Sequence, residues 1–137
     1  MTSHLAAAGQ DITPNPAPVK TIVIPPAAPT ITSVTAVRNS GGFTVTIIGF
    51  DTTRATTQGT FTFTVSGGAN LQTSTVTVPA TSLFNTWYQS SASAPFGSQF
   101  SFTIPFTVSG NVQSIVSVSV TLINPTGASA AASANLQ

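Results

Sequence analysis

Residues 42–50 read Gly42-Phe43-Thr44-Val45-Thr46-Ile47-Ile48-Gly49-Phe50, with Phe43, Val45 and Ile47 falling on one face and Thr44 and Thr46 on the other. Successive side chains of an extended chain point to opposite sides, so period two marks a strand with one buried and one wet face. The same pattern returns at Gly59 to Val65, where Phe61, Phe63 and Val65 alternate with Thr60, Thr62 and Thr64.

Working outward, alternation begins at Ile31 and further strands can be placed between turn signals. Asn39-Ser40-Gly41-Gly42 and Ser66-Gly67-Gly68-Ala69-Asn70 are turns, and their glycines are expected to supply positive φ. Leu71 to Val78 predicts a strand ended by Pro79. Gln99 to Thr107 predicts another, with Phe100, Phe102, Ile104 and Phe106 on one face. Pro105 removes one ladder donor and places that strand at a sheet edge or a bulge. After Ser109-Gly110-Asn111, Val112 to Ile123 puts Val116, Val118, Val120 and Leu122 on one face. Six or seven short strands separated by turns suggest a sandwich. The exception is Thr81 to Gln89, where Leu83, Phe84 and Trp87 recur at helical spacing behind a Thr81 N-cap, predicting one or two helical turns. Ser90 to Gly97 reads as a small-residue loop.

The ends differ from this middle. Residues 1–28 carry Pro14, Pro16, Pro18, Pro25 and Pro26, a density that prevents a helix and favours extended chain. They read as a Pro-rich linker or as the remnant strand of a preceding repeat. Within them Val19-Lys20-Thr21-Ile22-Val23-Ile24 is β-prone and can pair with a sheet edge. Residues 29–124 form the sandwich, and 125–137 read as an Ala/Ser-rich flexible tail.

Only Asp11, Lys20, Arg38, Asp51 and Arg54 carry formal charge, 4% of the chain against about 25% in ordinary globular proteins. Threonine and serine replace them, and β-branched threonine suits a half-exposed strand. A net charge of +1 offers no electrostatic footprint for nucleic acid or anionic lipid. The absence of cysteine removes disulfides, zinc ribbons and thiol chemistry. Met1 to Gln10 contain no basic region ahead of an apolar core, so no signal peptide is expected in this chain, and no apolar run approaches the ~20 residues that span a bilayer. The hydroxyl-rich surface favours an extracellular or cell-surface location, without membrane insertion.

Ala28-Pro29-Thr30-Ile31-Thr32-Ser33-Val34, Gly41-Gly42-Phe43-Thr44-Val45, Gly49-Phe50-Asp51-Thr52-Thr53-Arg54, Thr86-Trp87-Tyr88-Gln89-Ser90 and Phe96-Gly97-Ser98-Gln99-Phe100 together carry a resemblance. They are similar to immunoglobulin-like repeat modules of large secreted and cell-surface proteins of environmental bacteria, over about residues 28–123. The resemblance implies an all-β, immunoglobulin-like β-sandwich of about seven antiparallel strands, with one short helical turn and extended tails. It implies no enzymatic role and no cofactor, and neighbouring domains of the same parent protein as partners.

Candidate chemistry is sparse. His4 is the only histidine and sits in a tail, where no second shell can hold a catalytic group. Asp11 and Asp51 are the only carboxylates, and with Asp11 in the linker they cannot make a glycosidase pair or a calcium site. Asp51 reads as a turn residue pairing with Arg54, and Arg54 alternatively as a contact on an exposed loop. Trp87 points inward as a core plug, whereas Tyr88 and Phe96 are candidates for a wet ligand contact, with Asn85 and Gln89 beside them. The residues therefore predict a non-catalytic structural or adhesive module without metal or cofactor. Two alternatives stand beside it. One is a self-assembling filament subunit that donates Val19, Thr21, Ile22, Val23 and Ile24 as a strand to other copies of itself. The other is a carbohydrate-binding module that holds a polysaccharide through Tyr88, Phe96 and neighbouring amides such as Asn85 and Gln89.

Overall fold

The computed structural model describes residues 6–11 and 19–137. A two-residue hairpin, β1 (Ala6–Ala7) with β2 (Gln10–Asp11), stands in the segment expected to be linker. His4 and the Pro14, Pro16 and Pro18 positions lie outside the described residues. Lys20 to Pro29 carry no regular secondary structure.

The sandwich comprises β3 (Thr30–Asn39), β4 (Gly42–Phe50), β5 (Gln58–Val65), β6 (Thr75–Pro79), α1 (Thr81–Gln89), β7 (Gln99–Thr107), β8 (Ile115–Asn124), the two-residue β9 (Gly127–Ala128) and β10 (Ala132–Asn135). One sheet has the order β3-β4-β7. The other runs β10-β8-β5-β6, with β9 also on β8. All of these ladders are antiparallel. In an immunoglobulin constant-type sandwich the fourth strand pairs with the fifth. Here the fourth strand, β6, pairs with the third, β5, so the fifth, β7, has no neighbour on its outer side among the described strands.

The alternation seen in sequence becomes the core. Phe43, Val45 and Ile47 of β4 face Phe61 and Phe63 of β5, Phe100 and Ile104 of β7, and Val118, Val120 and Leu122 of β8, all buried. Burying each such side chain contributes about 1.5–3 kcal/mol. The rings form two groups. Phe43, Phe61 and Phe63 gather around Phe106 with centroids 5.0–5.4 Å apart. At the other end, Phe84 of α1 lies 4.8 Å from Phe100 and 5.0 Å from Phe102. These are the separations at which edge-on and offset aromatic pairs attract.

Several expectations are corrected. Residues 125–137 are no flexible tail. Ala132–Asn135 pairs with Val120 to Ser117, Leu136 is buried, and Gln137 then crosses to the other sheet, bonding Ala36 and Arg38 of β3. Small alanine and serine side chains give no apolar period, but the ladder is made by backbone and needs only the partner β8. The strand expected from Leu71 begins at Thr75, because Leu71 packs on the core instead of joining the ladder. Val116 leaves the inward row, since the β5–β8 register slips between Thr64 and Val65 and brings Ile115 into the buried position. The helix occupies the expected residues, but its N-cap is Ala80 and not Thr81. The Ala80 amide is tied to the Thr57 carbonyl, which starts the helix one residue earlier. Gly68 has the expected positive φ of 82°, whereas Gly41 and Gly42 do not. Gly42 is required for a different reason: a Cβ there would strike the Phe106 carbonyl of β7.

Candidate functional site

The end of β4 holds the most concentrated polar arrangement. Asp51 is fully buried. Its Oδ1 accepts from the Thr53 amide at 3.0 Å, the Thr53 hydroxyl at 2.7 Å and Asn124 Nδ2 at 3.0 Å. Its Oδ2 accepts from the Ala55 amide at 3.0 Å and the Thr56 hydroxyl at 2.7 Å. Burial raises the carboxyl's pKa, but the bonds from Thr53, Thr56 and Asn124 outweigh it and hold the group below its ordinary value. Five donors leave the carboxylate no capacity for a substrate or a proton relay. Asn124 also donates to the Ala27 carbonyl at 2.8 Å, so the same node anchors the entering chain.

Arg54 does not pair with the Asp51 carboxylate as expected, because that group's acceptor positions are filled. Arg54 turns at φ 52°, donates from Nη2 to the Gly97 carbonyl at 2.8 Å, and places its guanidinium 5.1 Å from the centre of the Tyr88 ring. The Tyr88 hydroxyl donates to the Ser98 carbonyl at 2.7 Å, and Trp87 Nε1 donates to the Gln99 carbonyl at 2.9 Å. Three consecutive carbonyls at the entrance to β7 are thus satisfied by Arg54, Tyr88 and Trp87 in turn. Burial, with the Asp51 charge adding to it, pushes the Tyr88 phenol up to about 12 despite the opposing Arg54 charge.

The fold therefore brings Arg54, Tyr88 and the Phe96–Gly97 loop together, as a ligand-contact reading requires. Their chemistry is already engaged. Tyr88 is half-buried against Arg54 and Phe84, and of the three residues only Phe96 presents a ring to solvent without a partner of this kind. Asn85 and Gln89 are exposed on α1. Among the described residues no three His, Cys, Asp or Glu side chains gather at one place. No described helix is long and apolar enough to cross a membrane.

The third sandwich charge, Arg38, spans the two sheets at the opposite end. Its Nη1 donates to the Leu136 carbonyl and its Nη2 to the Ile115 carbonyl, each at 2.7 Å. Sequence gave no sign of this role, because its acceptors lie 98 and 77 positions away.

Two surface features remain. A groove of about 330 Å³ between α1 and β7 is lined by Leu83, Trp87 and Phe102, with Ser82, Thr86, Ser90 and Ser101 at its margins. The helical spacing announced its helix side and Pro105 its edge side, but not that the two meet. Separately, Val19, Ile22, Val23 and Ile24 are 71–78% exposed. No family model, curated protein or solved structure matches the chain.

Proposed function

We propose that this chain is a non-catalytic structural module of an extracellular or cell-surface multidomain protein. One observation carries the reading. The only three charged side chains of the sandwich, Arg38, Asp51 and Arg54, all bind the protein's own carbonyls, amides and hydroxyls. Charge that elsewhere recognises substrates is used here to join loops and sheets. The hydroxyl-rich, charge-poor surface and the resemblance to repeat modules of secreted bacterial proteins support the location.

The test is retention on a panel of immobilised polysaccharides, with Phe96→Ala beside the unaltered chain. No retention is expected. Retention that Phe96→Ala abolishes would replace the structural reading with a carbohydrate-binding one.

A second reading, self-assembly, is favoured by a specific observation. Ile22, Val23 and Ile24 are large, β-prone and 73–78% exposed, with no regular secondary structure around them. A soluble chain rarely leaves such a run bare without a partner for it.

A further inference from the structure

The geometry points to the outer edge of β7 as the acceptor of residues 19–24 from a second copy of this chain, an inference that rests on the self-assembly reading. Backbone parity identifies the available groups. The even-numbered residues of β7 face the core and bond β4, and the Ser98 and Val108 backbone bonds on that side continue the same parity. The odd-numbered residues Ser101, Thr103, Pro105 and Thr107 then direct their backbone groups away from β4. Trp87 fixes the direction: it takes the Gln99 carbonyl, the first of the odd series. Pro105 belongs to the series too, which explains how a proline without an amide hydrogen is accommodated in mid-strand.

Among the described strands this edge is the longest free one. β6 has five residues and ends in Pro79, β10 has four, and Gln137 already bonds β3 at Ala36 and Arg38. At ~3.3 Å per residue, a six-residue strand covers about 20 Å of the roughly 30 Å that nine-residue β7 presents. The groove beside Phe102 and Trp87 lies along the same edge and offers apolar seats for Ile22 and Ile24, which share one face of an extended segment. No charge lines that groove, and the one blunting residue on the edge is Pro105, which leaves the Ser101, Thr103 and Thr107 amides as the outward donors.

The donor comes from another molecule because its own chain holds it elsewhere. Thr30 enters the sheet at β3, and β4 separates β3 from β7. The Ala27 carbonyl is bonded to Asn124 and its amide to Thr52, and Pro29 is buried, which ties the extension to the ends of β8 and β4 just before it enters β3. A strand passed on in this way is a head-to-tail contact, whose open product is a linear chain of modules.

The experiment uses the full chain and three variants, measured by light scattering after size exclusion. Ile22→Asp disables the donor in an exposed segment. Thr103→Pro removes an outward amide from the edge, and Ser101→Lys places a charge beside the groove without touching the ladder. The unaltered chain is expected to grow with concentration in multiples of 13.9 kDa, and each variant alone to stay at that mass. An equimolar mixture of Ile22→Asp with Thr103→Pro or Ser101→Lys retains one intact donor and one intact edge, and is expected to stop at twice the monomer mass. A full chain that stays monomeric up to about 1 mM overturns both the inference and the self-assembly reading, and leaves the structural module standing. Loss of assembly in Ile22→Asp alone, with both edge variants assembling, overturns β7 as acceptor while self-assembly survives.

Discussion

Asn124 donates its side-chain amide to the Asp51 carboxylate at 3.0 Å across 73 positions of sequence, joining the last residue of β8 to the turn after β4. One sheet contributes the donor and the other the acceptor, so the pair closes the sandwich at this end. Replacing Asp51 by alanine leaves the Thr53 and Ala55 amides, the Thr56 hydroxyl and Asn124 with no carboxylate. The expected loss is about 3 kcal/mol, read by urea unfolding.

Acid acts on the same node. The folded carboxyl titrates below its ordinary value, so the unfolded chain binds the proton more readily. Its stabilisation is fully present above about pH 4 and disappears as pH falls through the lower folded value. Urea midpoints of the unaltered chain should fall in this window. Asp51→Asn should be less stable at neutral pH and lose this part of the acid dependence.

Tyr88 is the chain's only tyrosine, so tyrosinate absorbance reports it alone. The folded protein should titrate near 12 and the urea-unfolded chain near 10. Because the folded pKa is the higher, alkali deprotonates the unfolded chain first and stability declines once pH exceeds about 10. A folded midpoint at the ordinary value would mean that the phenol is not buried beside the Asp51 charge.

Adjacent glycines should behave differently. Gly41→Ala meets nothing within 4 Å and should change stability by no more than about 0.5 kcal/mol. Gly42→Ala drives a methyl into the Phe106 backbone of β7 and should cost about 2–4 kcal/mol, since a backbone atom cannot rotate away. Thermal unfolding of the two variants decides it.

Leu136→Ala empties a buried site and should cost about 2–3 kcal/mol. Removing residues 132–137 should cost more, because it also strips β10 from β8 and leaves the Arg38 guanidinium without the Leu136 carbonyl. Unchanged unfolding in both would return these residues to the status of a tail.

What could be read from the sequence follows from where the information resides. β4 and β7 occupy the residues their alternation predicted, because Phe43, Val45, Phe100 and Ile104 announce a buried face by period alone. α1 was visible through Leu83, Phe84 and Trp87. β10 was not, because Ala132 and Ala134 are too small for their alternation with Ser133 and Asn135 to announce a buried face, and they become a strand only once β8 is beside them. Asp51 looked like a turn residue with Arg54 as its neighbour, and local spacing could not reveal that Asn124 claims the carboxylate. The candidate contacts Arg54, Tyr88 and Phe96 do converge, yet sequence could not tell that two of them already hold the carbonyls of Gly97 and Ser98.

The crossing of the last residues to β3 has a mechanical consequence. Leu136 runs parallel to Ala36, with the Gln137 amide bonded to the Ala36 carbonyl at 2.9 Å and the Arg38 amide to the Gln137 carbonyl at 2.8 Å. Tension between Thr30 and Gln137 therefore pulls these two segments past each other along their length. It loads both backbone bonds and the Arg38 guanidinium bridge together, in shear. An antiparallel terminal pair would peel open one bond at a time, whereas this arrangement yields only when all of them give way at once.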